Sequence, residues 1–251
     1  MYVIMAWTAD AKTHRIPVYG PDNREVIYSV ERSGMGLLGT TRYGVHMTAY
    51  VQDGSELRLW VARRAANKPT YPGMLDNTAA GGLMTGEDPF ECIVREADEE
   101  ADLPEALMRA QLRPLGTLNY IYMTDDRAGG EPTGQIYPEM QWVYELELPA
   151  ASSSSSGGEG TVTAPRPKDG EVARFELMGV EEVKTELARG AFKPNCALVV
   201  LDFFVRHGIL TRDNEPHLDE IVRRMHRPMP FPGPHQVETP TTTATTATTA
   251  S

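Results

Sequence analysis

Charged residues recur at fixed spacing after a glycine in the stretch GGLMTGEDPFECIVREADEEADL, residues 81–103. The residues of this pattern are Gly81, Glu87, Arg95, Glu96, Glu99 and Glu100. In a helix, residues three and four apart are neighbours, so Glu96, Glu99 and Glu100 would share one face. Carboxylates crowded in this way repel each other, and hard divalent cations such as Mg²⁺ or Mn²⁺ relieve the repulsion because they prefer oxygen ligands. The spacing therefore predicts a metal site on a helix.

Signals at both ends of this segment predict the helix itself. Asp88 can cap the free N–H groups, Pro89 suits the first helical position, and Glu91 completes a capping box. We expect the helix to end near Ala101, because Pro104 lies just beyond it and discourages continuation. An acidic helix face alone would indicate only a solvated surface. The preceding glycine turn and the full spacing favour metal binding instead.

A metal site of this kind suits the cleavage of a diphosphate, because divalent ions neutralise phosphate oxygens and lower the pKa of an attacking water molecule. The predicted metal ligands are Glu96, Glu99, Glu100 and the backbone carbonyl of Gly81. We expect Glu99 or Glu100 to activate the water. Arg95 can pair with Glu99 or reach back to Glu87, so we expect it to orient the carboxylates rather than to bind phosphate.

Three residues outside this stretch are further candidates for the site. Arg64 and Lys68 leave a predicted strand just upstream, and both could bind terminal phosphate oxygens, although a solvated basic edge is the alternative. Glu139 precedes another predicted strand. It could be a fourth metal ligand or the general base, and the alternative is an ordinary exposed glutamate. The sequence leaves these two interpretations of Glu139 equally open.

The composition of the chain excludes several classes of function. The chain has 251 residues, a net charge of −11 and only two cysteines, Cys92 and Cys196. The negative charge disfavours partners such as nucleic acids and anionic membranes, while a small diphosphate substrate stays possible because a metal ion supplies positive charge locally. No apolar run is long enough to span a membrane and no secretory signal is visible, so we expect a cytoplasmic protein. The oligomeric state is left open.

The order of the predicted elements indicates an α+β fold in which helices cover both faces of a mixed β-sheet, an α/β/α sandwich. Strands are predicted at residues 16–19, 25–32, 43–51, 57–62, 112–123, 140–148 and 171–178. Helices are predicted at residues 88–101, 180–189, 195–207 and 214–225. The Ser/Gly-rich residues 150–170 are predicted to be a flexible insertion, and residues 229–251 a disordered tail.

The stretch at 81–103 resembles the Nudix box, G-x5-E-x7-R-E-U-x-E-E-x-G-U, and matches it at every charged position. This resemblance implies the Nudix fold for a domain at residues 41–228 and supports the metal-binding roles given above. Asp102 stands where the box has glycine. Either Asp102 adopts the left-handed conformation that glycine would take, or it caps a following helix; neither alternative removes a metal ligand.

Further segments resemble one subfamily, the thiamin pyrophosphokinase-related Nudix proteins of fungi and plants. These segments are residues 29–51, 59–82, 137–149 and 192–211. The resemblance implies hydrolysis of damaged thiamin diphosphate, in its oxy and oxo forms, to a monophosphate and phosphate, which is a metabolite-repair role. It also implies that residues 1–40 keep little of a longer region found at the N-terminus of relatives.

Three alternatives to that function remain. The first is a Nudix hydrolase that acts on nucleoside diphosphates. The second is an enzyme like isopentenyl diphosphate isomerase, which residues 63–82 also resemble. Ala80 stands where that isomerase needs a catalytic cysteine and Gly82 where it has histidine, so we disfavour this alternative. The third is a binding module that has the fold without catalysis, and the intact box argues against it.

Overall fold

The computed structural model describes residues 15–128, 133–150, 164–229 and 233–234. Its β-strands are β1 (Arg15–Tyr19), β2 (Val26–Glu31), β3 (Arg42–Asp53), β4 (Glu56–Arg64), β5 (Leu75–Asp76), β6 (Ala79–Gly82), β7 (Arg113–Met123), β8 (Ile136–Glu147) and β9 (Val172–Gly179). Its α-helices are α1 (Met35–Leu38), α2 (Pro89–Ala101), α3 (Glu105–Gln111), α4 (Val180–Ala188), α5 (Pro194–Arg206) and α6 (Leu218–Met225).

Seven strands form one mixed sheet. Five of them lie in the order β5-β4-β3-β8-β7, while β6 pairs with β3 and β9 pairs with β4. Strands β3 and β8 run parallel at its centre, and the other pairings are antiparallel. Strand β3 changes partner along its length: its second half pairs with β4, and its first half pairs with β6. This change brings β6, which leads into α2, against the centre of the sheet. Strands β1 and β2 form a separate antiparallel pair.

Helices cover both faces of this sheet, as predicted. Because side chains alternate along a strand, β3 presents Val45, Met47 and Ala49 to the layer that contains α2 and α3. On the opposite face, Tyr50 packs with Phe203 of α5, and Val183 of α4 completes the same cluster. The α+β sandwich expected from the sequence is confirmed.

Several details of the elements differ from the sequence prediction. The last helix begins at Leu218 rather than at residue 214, because residues 211–215 form turns and Pro216 restricts the backbone before it. Strand β8 begins at Ile136 rather than at residue 140, so Glu139 lies within this strand and not before it. Strands β5 and β6 were not among the predicted strands, and the short helix α3 was foreseen only as one alternative for Asp102. Most of the predicted insertion, the N-terminal residues 1–14 and nearly all of the predicted tail lie outside the described residues. The described part of the insertion, residues 164–170, contacts α2, since Arg166 N–H donates to the Ala101 carbonyl over 2.9 Å.

Candidate functional site

Helix α2 begins and ends as its sequence dictates. The Asp88 carboxylate accepts from the backbone N–H groups of Phe90 and Glu91 over 2.8 and 3.3 Å, and Pro89 occupies the first helical position. At the other end, Asp102 adopts the left-handed conformation with φ of 53°. The first of the two alternatives for Asp102 is therefore correct, and α3 starts after Pro104 without a cap from Asp102.

Two of the predicted metal ligands on α2 lie directly against strand β6. Glu100 Oε2 accepts from the Ala80 N–H over 3.0 Å. The Glu96 carboxylate lies so close to Gly81 that a Cβ at residue 81 would collide with it. Glycine is therefore required here because of the close approach between helix and strand. The fourth predicted ligand, the carbonyl of Gly81, belongs to the same strand, β6.

Arg95 joins the acidic residues of the box into one network. Its guanidinium donates to both oxygens of Glu87, at 2.9 and 3.3 Å, and to Glu99 at 3.0 Å. It also lies 2.9 Å from the Glu96 carboxylate. Both pairings expected for Arg95, with Glu87 and with Glu99, are present together. The geometry agrees with an orienting role, since the side chain is committed to protein carboxylates.

The electrostatics of this cluster favour a cation. The pKa of Glu96 is raised to about 7, chiefly by burial and also by the nearby Glu99 and Glu171 carboxylates, against the opposing effect of Arg95. Burial, followed by Asp76 and Glu96, raises the pKa of Glu100 well above its usual range. Arg95 alone does not neutralise these carboxylates. A divalent cation would stabilise their ionised forms, so the residues present fit a bound Mg²⁺ or Mn²⁺.

The structure brings both predicted phosphate-binding cations close to the box, and both have protein partners. Arg64 is buried and donates to Asp76 over 2.7 Å and to the Thr70 and Tyr71 carbonyls. Lys68 forms an ion pair with Glu171. Glu171 follows the insertion in sequence and was not identified as a candidate, because its sequence gives no sign that it lies beside α2.

Glu139 lies on the face of the sheet that points away from α2. Its strand neighbours Met140 and Trp142 pack in the core beside α2, so by alternation Glu139 faces the layer of α5 and α6. Its buried carboxylate accepts from Tyr120 over 2.7 Å, from Tyr122 over 3.3 Å and from Gln141 over 3.1 Å. Glu139 is thus not an ordinary exposed glutamate, and its role as metal ligand or base stays a prediction.

A second polar cluster, composed of His46, Asp76, Asn77 and Cys196, lies beneath α5 and was not identified in the sequence. All four residues are buried. Asn77 Oδ1 lies 2.8 Å from His46 Nδ1, and the Cys196 thiol donates to Asp76 over 2.7 Å. Burial lowers the pKa of His46 to about 4, so its imidazole is neutral at physiological pH. The contact with Asn77 provides this buried imidazole with a hydrogen-bond partner.

The other cysteine, Cys92, is also buried and free. Burial raises the pKa of its thiol, and the Glu87 and Glu96 carboxylates raise it further. The Cys92 thiol is therefore neutral at physiological pH and is not activated as a nucleophile.

Comparison with known proteins identifies the domain. A model of the NUDIX domain matches residues 42–196, which include the carboxylates of α2 and most of the sheet. The chain belongs to the Nudix family. The predicted Nudix fold is thereby confirmed, and membership supports the prediction of a pyrophosphatase-type hydrolase. Nudix enzymes in general use divalent metal ions.

Two relatives and one solved structure are similar to this Nudix chain. The Saccharomyces cerevisiae protein YJR142W is 39% identical over 215 residues, 84% of this chain and 60% of that protein. Nudix hydrolase 20, chloroplastic, of Arabidopsis thaliana is 34% identical over 212 residues, 84% of this chain and 51% of that protein. The crystal structure of DR0079 from Deinococcus radiodurans is 21% identical, with a TM-score of 0.47 over 85% of this chain and 99% of that chain.

The chain spans between half and about three fifths of the length of these two relatives. No helix among the described residues is long and apolar enough to cross a membrane.

Proposed function

We propose that this Nudix domain is a pyrophosphohydrolase that depends on Mg²⁺ or Mn²⁺. The observation that carries the proposal is the group of carboxylates on α2, which closes onto the backbone of β6 at Ala80 and Gly81. Their raised pKa values indicate a site that lacks positive charge. A bound divalent ion would supply this charge and would lower the pKa of an attacking water molecule.

The protein side chains have separate roles in the proposed mechanism. Glu96, Glu99, Glu100 and the Gly81 carbonyl hold the metal. Arg95 keeps the carboxylates in place through its bonds to Glu87 and Glu99. Glu99 is the more exposed of the box carboxylates, with 41% of its side chain accessible against 15% for Glu96. Glu99 is therefore better placed than Glu96 to accept a proton from water. Glu100 is the other candidate base on α2, and Glu139, which faces the opposite side of the sheet, is the alternative taken from the sequence.

Arg64 and Lys68 are the proposed phosphate-binding residues. Lys68 is paired with Glu171 beside the box, and a phosphate that approaches this edge would compete for the ammonium group. Arg64 is held by Asp76 and by backbone carbonyls, so its contribution would be a fixed positive field near Glu100. These roles predict that Lys68 affects substrate affinity more than Arg64 does.

For the substrate, we propose oxidised or deaminated analogues of thiamin diphosphate, cleaved to the monophosphate and phosphate as a repair reaction in the cytoplasm. The support is the resemblance of residues 29–51, 59–82, 137–149 and 192–211 to the thiamin pyrophosphokinase-related Nudix proteins.

The test measures phosphate release from oxythiamin diphosphate in the presence of Mg²⁺. Wild type is compared with E99Q and E100Q, and with E91Q, which changes an exposed glutamate on the same helix. We expect E99Q and E100Q each to lower kcat by about 100-fold or more, and E91Q to have little effect. Equal rates in all four proteins would contradict the metal assignment.

A nucleoside diphosphate is the comparison substrate. Activity on it without activity on oxythiamin diphosphate would reject the thiamin assignment and retain the hydrolase. A folded protein that is inactive on both and fails to bind Mn²⁺ in a titration would support a non-catalytic module.

A further inference from the structure

The cluster beneath α5 has donor atoms of three different kinds within a small volume. His46 offers an imidazole nitrogen, Asp76 a carboxylate oxygen and Cys196 a sulfur, and these atoms lie within 4.8 Å of one another. All three residues are buried, with 3%, 7% and 0% of their surfaces accessible. A mixed nitrogen, oxygen and sulfur set is unsuited to Mg²⁺ and suits zinc and similar transition metals.

We propose that His46, Asp76 and Cys196 form a second metal site, separate from the carboxylates of α2, that takes a soft divalent transition-metal ion such as Zn²⁺. Ligand atoms of a tetrahedral zinc ion, with bonds of about 2.0–2.3 Å, lie roughly 3.5 Å apart, so the ion needs side-chain shifts on the order of 1 Å here. The thiol proton leaves when the ion binds, and the sulfur moves from the Asp76 oxygen to the metal.

Neighbouring residues already orient two of these ligands. Asn77 Oδ1 accepts from His46 Nδ1 over 2.8 Å, which leaves Nε2 of the imidazole with a free lone pair. Arg64 holds Oδ2 of Asp76 at 2.7 Å, and the other oxygen, Oδ1, faces Cys196. Contacts of this type, from a second residue to the far side of a ligand, fix ligand geometry in metal sites.

A buried donor without a partner gives independent support. The Nδ2 amide of Asn77 is buried, and none of the described residues accepts a hydrogen bond from it. Leaving such a donor unsatisfied destabilises a fold. Water on the fourth position of the metal ion would provide an acceptor beside Asn77.

The ligands of the cluster can balance the charge of a divalent ion. His46 is neutral, so the Asp76 carboxylate and the Cys196 thiolate together neutralise the two positive charges of the ion. Around them, Arg64 and Lys193 act on Asp76 with positive charge and Glu139 acts on His46 with negative charge.

The test is a Co²⁺ titration of the metal-free full chain, with excess Mg²⁺ present to fill oxygen-only sites. Thiolate ligation gives an intense sulfur-to-cobalt charge-transfer band, which carboxylate sites lack. We expect the band to saturate at one Co²⁺ per chain and to be displaced by Zn²⁺. It should persist in C92S, the matched cysteine control, and disappear in C196S.

A second variant keeps the test decisive if C196S does not fold. N77A retains all three ligands and removes the contact to His46, so we expect it to weaken Co²⁺ binding by about 10–100-fold. Unchanged Co²⁺ affinity in folded N77A, a missing charge-transfer band in folded wild type, or a band that follows Cys92 would each overturn the proposal. The cluster would then be a hydrogen-bond network only. No outcome depends on hydrolysis, so the result is independent of the proposed function.

Discussion

At the scale of single residues, Arg95 is the central contact of the acidic site. It is the cation that contacts Glu87, Glu96 and Glu99 together. Its guanidinium presents several N–H donors in a fixed plane, which a lysine ammonium could not imitate. The arrangement of these carboxylates in the metal-free protein therefore depends on this one side chain.

Replacing Arg95 should make the site depend on metal for its stability. Without Arg95 the carboxylates repel each other, so we expect R95A to lose on the order of 1–2 kcal/mol of unfolding free energy in chelator, since the pairs are partly exposed. Saturating Mg²⁺ should restore part of this loss. Urea unfolding with and without Mg²⁺ measures both effects. R109A is the control, because it removes an exposed arginine that pairs with Glu91 and Glu105. Its unfolding free energy should fall by less than that of R95A and should not change with Mg²⁺.

Glu96 should give the metal-free protein a specific pH dependence. Its pKa is about 7 in the folded protein and 4.5 as the ordinary value, so between these pH values the folded state binds more protons than the unfolded state. The contribution of Glu96 to stability therefore falls as pH rises through this range. We therefore expect the unfolding free energy of E96Q, relative to that of wild type, to increase by on the order of 2 kcal/mol as the pH rises from about 4.5 to 7.

The measurement for Glu96 is the difference in unfolding free energy between wild type and E96Q in chelator. His46 has the opposite effect on stability, because its pKa is lowered from the ordinary value of 6.5 to about 4 and the unfolding free energy therefore rises with pH between these values. This effect is the same in both proteins, so it cancels in the difference. A constant difference across this pH range would disprove the raised pKa of Glu96. Saturating Mg²⁺ should abolish the pH dependence of this difference.

At the scale of elements, the end of α2 carries a strained residue. Asp102 has φ of 53°, a conformation that glycine adopts without cost and other residues do not. We expect D102G to raise the unfolding free energy by about 0.5–1 kcal/mol and D102A to lower it by a similar amount. Chemical denaturation of the three proteins tests this expectation. Equal stability of D102G and D102A would show that the backbone angle is not the cause.

Elements and sites differed in how far the sequence predicted them. Helix α2 was predicted because its cap, its first proline and its acidic spacing all lie within twenty residues. The proximity of Gly81 to the helix glutamates followed from the same local pattern, whereas the strand β6 that contains Gly81 was not predicted. The start of α6 was missed because a turn before Pro216 replaces the first helical turn. Local signals thus identified the Nudix box and most of the boundaries of the elements.

Contacts between distant parts of the chain were beyond those local signals. His46 and Asn77 are 31 residues apart, and Asp76 and Cys196 are 120 residues apart. The pairing of Lys68 with Glu171 spans 103 residues. The first two pairs meet because β3, β5 and α5 pack together, and Lys68 meets Glu171 because β4 pairs with β9. No local spacing in the sequence predicts these contacts. Arg64 similarly suggested a phosphate ligand, and its hydrogen bonds to Asp76 and to backbone carbonyls become visible only in the fold.

At the scale of the whole molecule, one buried carboxylate connects the sheet with its second helical layer. Glu145 on β8 is 1% exposed and accepts from His207 over 3.2 Å and from Arg113 of β7 over 3.3 Å. It also forms an ion pair with Arg206 at the end of α5. Because α5 covers the polar cluster that contains His46 and Cys196, Glu145 fixes the layer above that cluster.

Removing Glu145 should therefore destabilise the whole domain rather than one element. We expect E145A to lower the unfolding free energy by on the order of 3 kcal/mol, because Arg206 and His207 lose their buried partner. Burial opposes ionisation of Glu145, but hydrogen bonds from His207 and Arg206 outweigh it and lower its pKa below the ordinary value of 4.5. Its stabilisation is thus present above that value and is lost as pH falls through the folded pKa.

Urea unfolding of wild type, E145A and E147A between neutral and acidic pH tests this linkage. Glu147 lies two residues along the same strand, is exposed, and accepts from Tyr50 over 3.2 Å, so E147A is the matched control. We expect the difference in unfolding free energy between wild type and E145A to decrease as the solution becomes acidic, while the unfolding free energy of E147A stays close to that of wild type at every pH. If E145A and E147A both lower the unfolding free energy by a similar small amount, α5 is held by its apolar contacts alone, through Phe203 and Val199.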